Sequence, residues 1–262
     1  MKKSAIKSLL SLLLPVVWCT ALCAQDFSVY EKKQLDDAVG NTVPYRLLQP
    51  EKISKTDKYP LVVFMHGAGG RGTDNERPVR NTFGTMLIKP EIRAEYPCFA
   101  LFPQIPAEMG MPFGGGIREE KDSPTPEIST AGKMVMELIE STIKDYPIDR
   151  SRIYVTGQSM GGFGSLAMIS LYPDLFAAAA PVCGGQPIGQ VKLWAAKVPV
   201  WLFHGDADNT VKTEYSRNIV AELDRLGVTN YRYTEYPGVG HDSWRNAYAE
   251  PELMQWLFSQ HK

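Results

Sequence analysis

The chain is short of every feature that would point to a strongly charged or metal-bound protein. Its 262 residues carry 28 Lys and Arg against 29 Asp and Glu, a net charge of -1. Such a balance creates no long-range field for nucleic acid or an anionic bilayer, and no local Lys/Arg cluster replaces one, so neither partner is expected. Histidine is scarce at four residues, and none stands in a ligand spacing such as H-E-x-x-H, so no metal centre is expected. No glycine-rich loop ends in Gly-Lys-Ser/Thr, which argues against a nucleotide cradle, and no other cofactor signature is present. Internal repeats and low-complexity tracts are also missing. With 44% hydrophobic residues, a chain of this length can bury one sizeable core, and a single domain is expected over 25–262.

Cysteine is equally rare, with four in all. Two of them, Cys19 and Cys23, fall in a leader-like succession: Met1-Lys2-Lys3 and Lys7, an apolar run from Leu9 to Trp18, then Ala21-Leu22-Cys23-Ala24. This reads as a secretory signal peptide over 1–24, cleaved after Ala24. The apolar run is shorter than the roughly 20 residues that a membrane-spanning helix needs, so stable membrane insertion is not expected. Lipid attachment at Cys19 or Cys23 is disfavoured by the bulky Trp18 and Leu22 before them, although the choice between a lipoprotein and soluble export stays open. A secreted or periplasmic location permits disulfides, yet Cys98 and Cys183 both flank apolar strands and read better as buried thiols; whether they bond is left open.

What the sequence does hold is Arg152-Ile153-Tyr154-Val155-Thr156-Gly157-Gln158-Ser159-Met160-Gly161-Gly162. A β-branched and aromatic strand runs into G-x-S-x-G and then into a small-residue helix start, the context that a nucleophile elbow requires. Ser159 should project its hydroxyl above a sheet, with the Met160 N–H at the helix N-terminus facing a developing oxyanion. Without that strand and helix, the same residues would read as an ordinary Gly/Ser turn.

The rest of the chain alternates strands and helices. Val29–Gln34 and Tyr45–Leu48 read as an edge hairpin, and Leu61–Met65 as a central parallel strand apolar on both faces. It ends in His66-Gly67-Ala68-Gly69-Gly70-Arg71-Gly72, the place for a second oxyanion donor, with the Ala68 N–H favoured and Gly69 second. Pro97–Phe102, Phe176–Val182, Val198–Phe203 and Tyr231–Tyr236 read as further strands. Phe83–Ile88, Thr130–Tyr146, Glu214–Leu226 and a terminal segment opening at Pro251 read as helices. Residues 103–129, rich in proline and glycine and including Phe113-Gly114-Gly115-Gly116, are a long loop at a strand's carboxyl end; they read as a substrate-contacting wall or, alternatively, a surface insertion. Only about fifteen residues separate Val182 from Val198, too few for a lid domain, so an open site is expected.

A serine needs a base to take its proton and an acid to orient that base, in the chain order Ser, acid, His. Only His241 and His261 lie far enough along; His261 is penultimate, and His241 occupies a glycine-flanked loop after the last strand. His66 and His204 should hydrogen-bond locally at strand ends. Asp206 and Asp208 both follow one strand, and either could reach His241.

The motifs His66-Gly67-Ala68-Gly69-Gly70-Arg71-Gly72-Thr73-Asp74-Asn75, Pro103-Gln104, Gly157-Gln158-Ser159-Met160-Gly161-Gly162, His204-Gly205-Asp206-Ala207-Asp208 and Gly240-His241-Asp242-Ser243-Trp244 resemble the exported esterase branch of the α/β-hydrolase superfamily. That branch includes phospholipase/carboxylesterase, feruloyl esterase and polyhydroxybutyrate-depolymerase-like groups. The resemblance implies a mostly parallel sheet covered by helices on both faces, with Ser159 as nucleophile, Asp208 as acid, His241 as base and oxyanion donors at Met160 and at Ala68 or Gly69. It implies a serine carboxylic ester hydrolase acting on small-molecule or polysaccharide-linked esters. The tryptophan that relatives carry after the Pro-Gln pair is replaced here by Met111-Pro112-Phe113 and three glycines. Two other functions compete: a prolyl-oligopeptidase-like peptidase, for whose propeller no chain remains, and a non-catalytic binding protein on a hydrolase scaffold. Oligomeric state and ester specificity stay open.

Overall fold

A computed structural model describes residues 25–113 and 125–262. The leader expected over 1–24, with Cys19 and Cys23, lies outside the described residues, as do the glycines 114–116 of the long loop.

Eight strands form one sheet: β1 (Tyr30–Asp36), β2 (Thr42–Leu48), β3 (Tyr59–Met65), β4 (Phe99–Pro103), β5 (Ile148–Gln158), β6 (Ala178–Val182), β7 (Val200–Gly205) and β8 (Tyr231–Tyr236), in the order β1-β2-β4-β3-β5-β6-β7-β8. The hairpin β1–β2 pairs antiparallel and β2 meets β4 antiparallel. From β4 to β8 all neighbours are parallel. This is the α/β-hydrolase arrangement.

Strand periodicity sorts the core into two layers. Alternate residues of β3 face opposite ways, so Leu61, Val63 and Met65 join one buried cluster while Val62 and Phe64 join the other. The first cluster packs under α3 (Thr130–Asp145), α4 (Met160–Leu171) and α5 (Glu214–Arg225), and the second under α1 (Thr82–Leu87), α6 (Trp244–Ala247) and α7 (Leu253–Phe258). Helices on both faces are why the central strands are apolar throughout. Ser129 starts α3 by accepting from the Gly132 N–H at 3.2 Å, and Pro147 follows its end.

Some expectations shift. Strand β6 begins at Ala178 rather than Phe176: its register with β5 starts at Ala178 opposite Tyr154, and Ala177 contributes only a leading N–H bond to Ile153 O at 2.7 Å. Helix α2 (Pro90–Glu95) and the single turn of α6 were not expected: both are too short for a helical period to emerge from their sequences. The long loop is tied at its rim, where Phe113 bridges Ile128 and is itself buried. Between β6 and β7 lies only a 3-10 helix, Ile188–Leu193. Cys98 and Cys183 are free and buried.

Candidate active site

Ser159 joins β5 to α4 with φ 54° and ψ -117°, a positive-φ conformation that a serine adopts only under constraint. Two hydrogen bonds impose it: the Ser159 N–H donates to Val182 O at 3.0 Å, and Ser159 O accepts from the Phe163 N–H at 3.0 Å. The neighbouring backbone leaves no space for side chains. A Cβ at Gly161 would lie 1.8 Å from Met65 O, and one at Gly157 would lie 2.5 Å from the same oxygen. Helix α4, strand β5 and the end of β3 therefore touch backbone to backbone beneath the serine.

On the β3 side, Ala68–Gly70 form a 3-10 turn. The Gly70 and Arg71 N–H groups are spent on Gly67 O and Ala68 O. The N–H groups of Ala68 and Gly69 make no hydrogen bond among the described residues, and neither does that of Met160, the first residue of α4. The turn is held from below. His66 is buried; its Nδ1–H donates to Gly67 O at 2.7 Å, which leaves Nε2 to accept from the Ile105 N–H at 3.0 Å. Burial holds the His66 pKa below its ordinary value, in keeping with a neutral ring. Fully buried Gln104 donates to Gly70 O and Asp74 Oδ1 at 3.1 and 3.2 Å and accepts from the Asn75 N–H at 2.6 Å. The Pro103-Gln104 pair thus clamps the loop that presents Ala68. That role was not readable from the sequence, although an amide residue at a strand exit opposite a glycine loop was the available signal.

Asp208 lies just past β7 and His241 in the loop after β8. His241 Nδ1 is 2.7 Å from Asp208 Oδ2, and His241 Nε2 is 3.0 Å from Ser159 Oγ. A carboxylate only accepts, so Nδ1 carries the proton and Nε2 is bare toward the serine hydroxyl. The other oxygen of Asp208 accepts from the Thr210 and Val211 N–H groups at 2.8 and 2.9 Å. Burial disfavours the charged form of Asp208, but the His241 bond and these two amides outweigh it and hold its pKa below the ordinary carboxylate value. The Trp244 ring stands edge-on to His241, with centroids 5.3 Å apart.

Asp206 goes elsewhere. It accepts from the Gly238 N–H at 2.6 Å and so pins the β8 exit to the β7 exit. Fully buried His204 donates from Nε2 to Val211 O at 3.0 Å and accepts at Nδ1 from the Ser216 hydroxyl at 2.7 Å. Burial lowers its pKa, so its 3.4 Å approach to Asp208 joins a neutral ring to a carboxylate. His261 is exposed at the terminus.

Cys183 Sγ lies with the Asp208 carboxylate and the His241 ring in a group whose donor atoms are all within 4.8 Å of one another. Burial pushes that thiol up to about 12, so it keeps its proton, and the Asp208 and His241 atoms are engaged with each other. The trio is a packed acid–base pair with a neutral thiol under it, an unsuitable metal centre.

A serine on a strained elbow with His and Asp after successive strands is a hydrolase arrangement, and similarity locates it within one group. The phospholipase/carboxylesterase profile matches residues 51–250. The chain belongs to this phospholipase/carboxylesterase family. Its membership makes it an ester hydrolase. A probable carboxylesterase of Oryza sativa subsp. japonica is 31% identical over 195 residues, covering 69% of this chain and 71% of the relative. Feruloyl esterase B of Talaromyces funiculosus is 26% identical, covering 77% of this chain and 61% of its own length. Among solved structures, a thermostable esterase superposes with a TM-score of 0.82 at 36% identity, covering 90% of this chain and 64% of that one. The matched span contains all the site residues described above.

Proposed function

We propose that this protein is an exported serine esterase that works through an acyl-enzyme. The observation carrying the proposal is His241 itself, bonded to Asp208 through one nitrogen and to Ser159 through the other. In this reading Ser159 Oγ attacks the ester carbonyl while its proton passes to His241 Nε2. The carbonyl oxygen becomes an oxyanion facing the Met160 N–H and the N–H of Ala68 or Gly69. The bond to the alcohol then breaks, and His241 returns the proton to the leaving oxygen. Water attacks the acyl-enzyme in the same way, its proton passing through His241, and the acid departs with Ser159 restored. Asp208 holds the ring's orientation and stabilises the imidazolium formed in each half. Every proton transfer is accounted for by these side chains.

The substrates proposed are short or aromatic acyl esters, including esters carried on plant-wall polysaccharide. The narrow β6–β7 connection supports an open site with no cap to sheath a long chain, and the feruloyl esterase relative supports the aromatic option. Export rests on the leader-like residues 1–24, and among the described residues no helix is long and apolar enough to cross a membrane.

A fluorophosphonate probe should label the wild type at Ser159. Ser159→Ala should abolish labelling and reduce turnover of 4-nitrophenyl acetate by at least about 10³-fold while the variant stays folded. Labelling at another residue, or near-full turnover by the folded variant, would refute the mechanism.

A further inference from the structure

An open cavity of about 540 Å³ lies along the β7 exit and the first half of α5, bounded by Asp206, Asp208, Asn209, Lys212, Tyr215 and Asn218 among others. Its volume falls within the roughly 300–1,000 Å³ of small-molecule sites. Its position links it to the reacting centre by two routes. Asp208 lines it while holding His241. The ring of Tyr215 meets that of Phe163 edge to face, with centroids 6.3 Å apart, and Phe163 sits four residues after Ser159 on the first turn of α4. The two rings can abut because Gly185 has no side chain: a Cβ there would stand 2.8 Å from Tyr215 Cβ and 3.0 Å from Phe163 Cε1.

The chemistry of the lining narrows the ligand. Asn209 and Asn218 are exposed, and their side-chain amides make no hydrogen bond among the described residues, so their donors and acceptors are available. Lys212 is also exposed and pairs with no carboxylate among the described residues. Beside it stand Asp206 and Glu214, so the three together carry a formal charge of -1. A phosphate or uronate meets no cationic clamp there, and a quaternary ammonium meets Lys212. The carboxylates are partly engaged, Asp206 with the Gly238 N–H and Glu214 with Arg217 at 3.6 Å, and their remaining oxygens accept. Two free amides, these acceptors and one aromatic ring suit a neutral polyhydroxylated molecule, whose hydroxyls both donate and accept and whose C–H face packs on a ring.

We propose that this groove is the subsite for the alcohol half of the ester and that it binds a neutral sugar. The proposal rests on the serine-esterase reading above for its catalytic consequence, but sugar binding in the groove can be measured without it. The decisive quantity is the ratio of kcat/KM for an acetylated xylo-oligosaccharide to kcat/KM for ethyl acetate, in which the acyl group is shared. Wild-type protein should favour the sugar ester by at least about tenfold, and Tyr215→Ala and Asn218→Ala should each reduce that ratio by at least about fivefold, chiefly through KM. A second arm titrates Ser159→Ala with xylotetraose by calorimetry; heat of binding should appear, and it should vanish when Tyr215→Ala is added. A ratio near one in wild type, a ratio unmoved in both groove variants, or acetylcholine preferred over the sugar ester would overturn the proposal, as would the absence of calorimetric binding. If ethyl acetate is not turned over and fluorophosphonate does not label Ser159, the esterase reading falls, while the titration still decides whether the groove binds sugar.

Discussion

His204 and His241 both face the carboxylate of Asp208, and their surroundings give them different work. His204 belongs to β7 and points under α5; its side chain is 0% exposed and both its nitrogens are taken by groups that never leave. His241 lies on the loop after β8, is 23% exposed, and spends only one nitrogen on Asp208, so the other meets Ser159 Oγ at 3.0 Å. A saturated, buried imidazole is part of the core. One with a free lone pair at the edge of solvent is able to move a proton.

Removing either histidine tests that contrast. His241→Asn should lower kcat by at least about 10³-fold, with little change in melting temperature, because the ring is part-exposed on a loop and an asparagine amide can still donate to Asp208. His204→Ala should act the other way round: it strips partners from Ser216 and Val211 O in a fully buried place and should cost about 2–4 kcal/mol of stability. Kinetics and chemical denaturation on the two purified variants check both. Equal kinetic losses in two well-folded proteins would erase the distinction.

The neighbouring acids sharpen it further. Asp208→Asn removes the acceptor that sets the tautomer of His241, and its kcat should fall at least about a hundredfold further than that of Asp206→Asn. Asp206→Asn weakens a charge-assisted bond to the Gly238 N–H and should cost about 1 kcal/mol of stability. The opposite kinetic ranking would mean that Asp206 is the acid.

The smallest expected effect is in pH. Burial lowers the folded-state pKa of His66 and of His204 below the reference value of 6.5. As pH falls through 6.5, the unfolded chain binds protons at both positions and the folded chain does not, so stability is full above that value and declines below it. Each ring contributes a slope of at most about 1.4 kcal/mol per pH unit. Denaturation free energies between about pH 7.5 and pH 5.5 should show the decline, and His66→Asn should make it shallower. Stability that rises on acidification across this window would show that the buried rings are charged.

Much of the fold was legible because its signals are local. The apolar run Leu61–Met65 announces a strand covered on both faces, and Pro147 announces the end of α3. Ser159 was legible because G-x-S-x-G between a strand and a helix compresses a tertiary geometry into five residues. The short α2 and α6 carried too few residues for any period, and the start of β6 depended on which of several small apolar residues found a pairing partner.

The residues alone also narrowed the candidate base to His241 or His261 by chain order and the candidate acid to two aspartates in one turn. Which of Asp206 and Asp208 meets His241 is a matter of tertiary structure, since both have the same chemistry and nearly the same place in the sequence. What separates them is direction: one carboxylate meets the Gly238 amide, and the other meets His241, 33 residues further along the chain. The same is true of the clamp on the loop that presents Ala68 and of the groove beside α5. Each is made of side chains brought together from separate strand exits, and their meeting is a property of the sheet order rather than of any stretch of sequence.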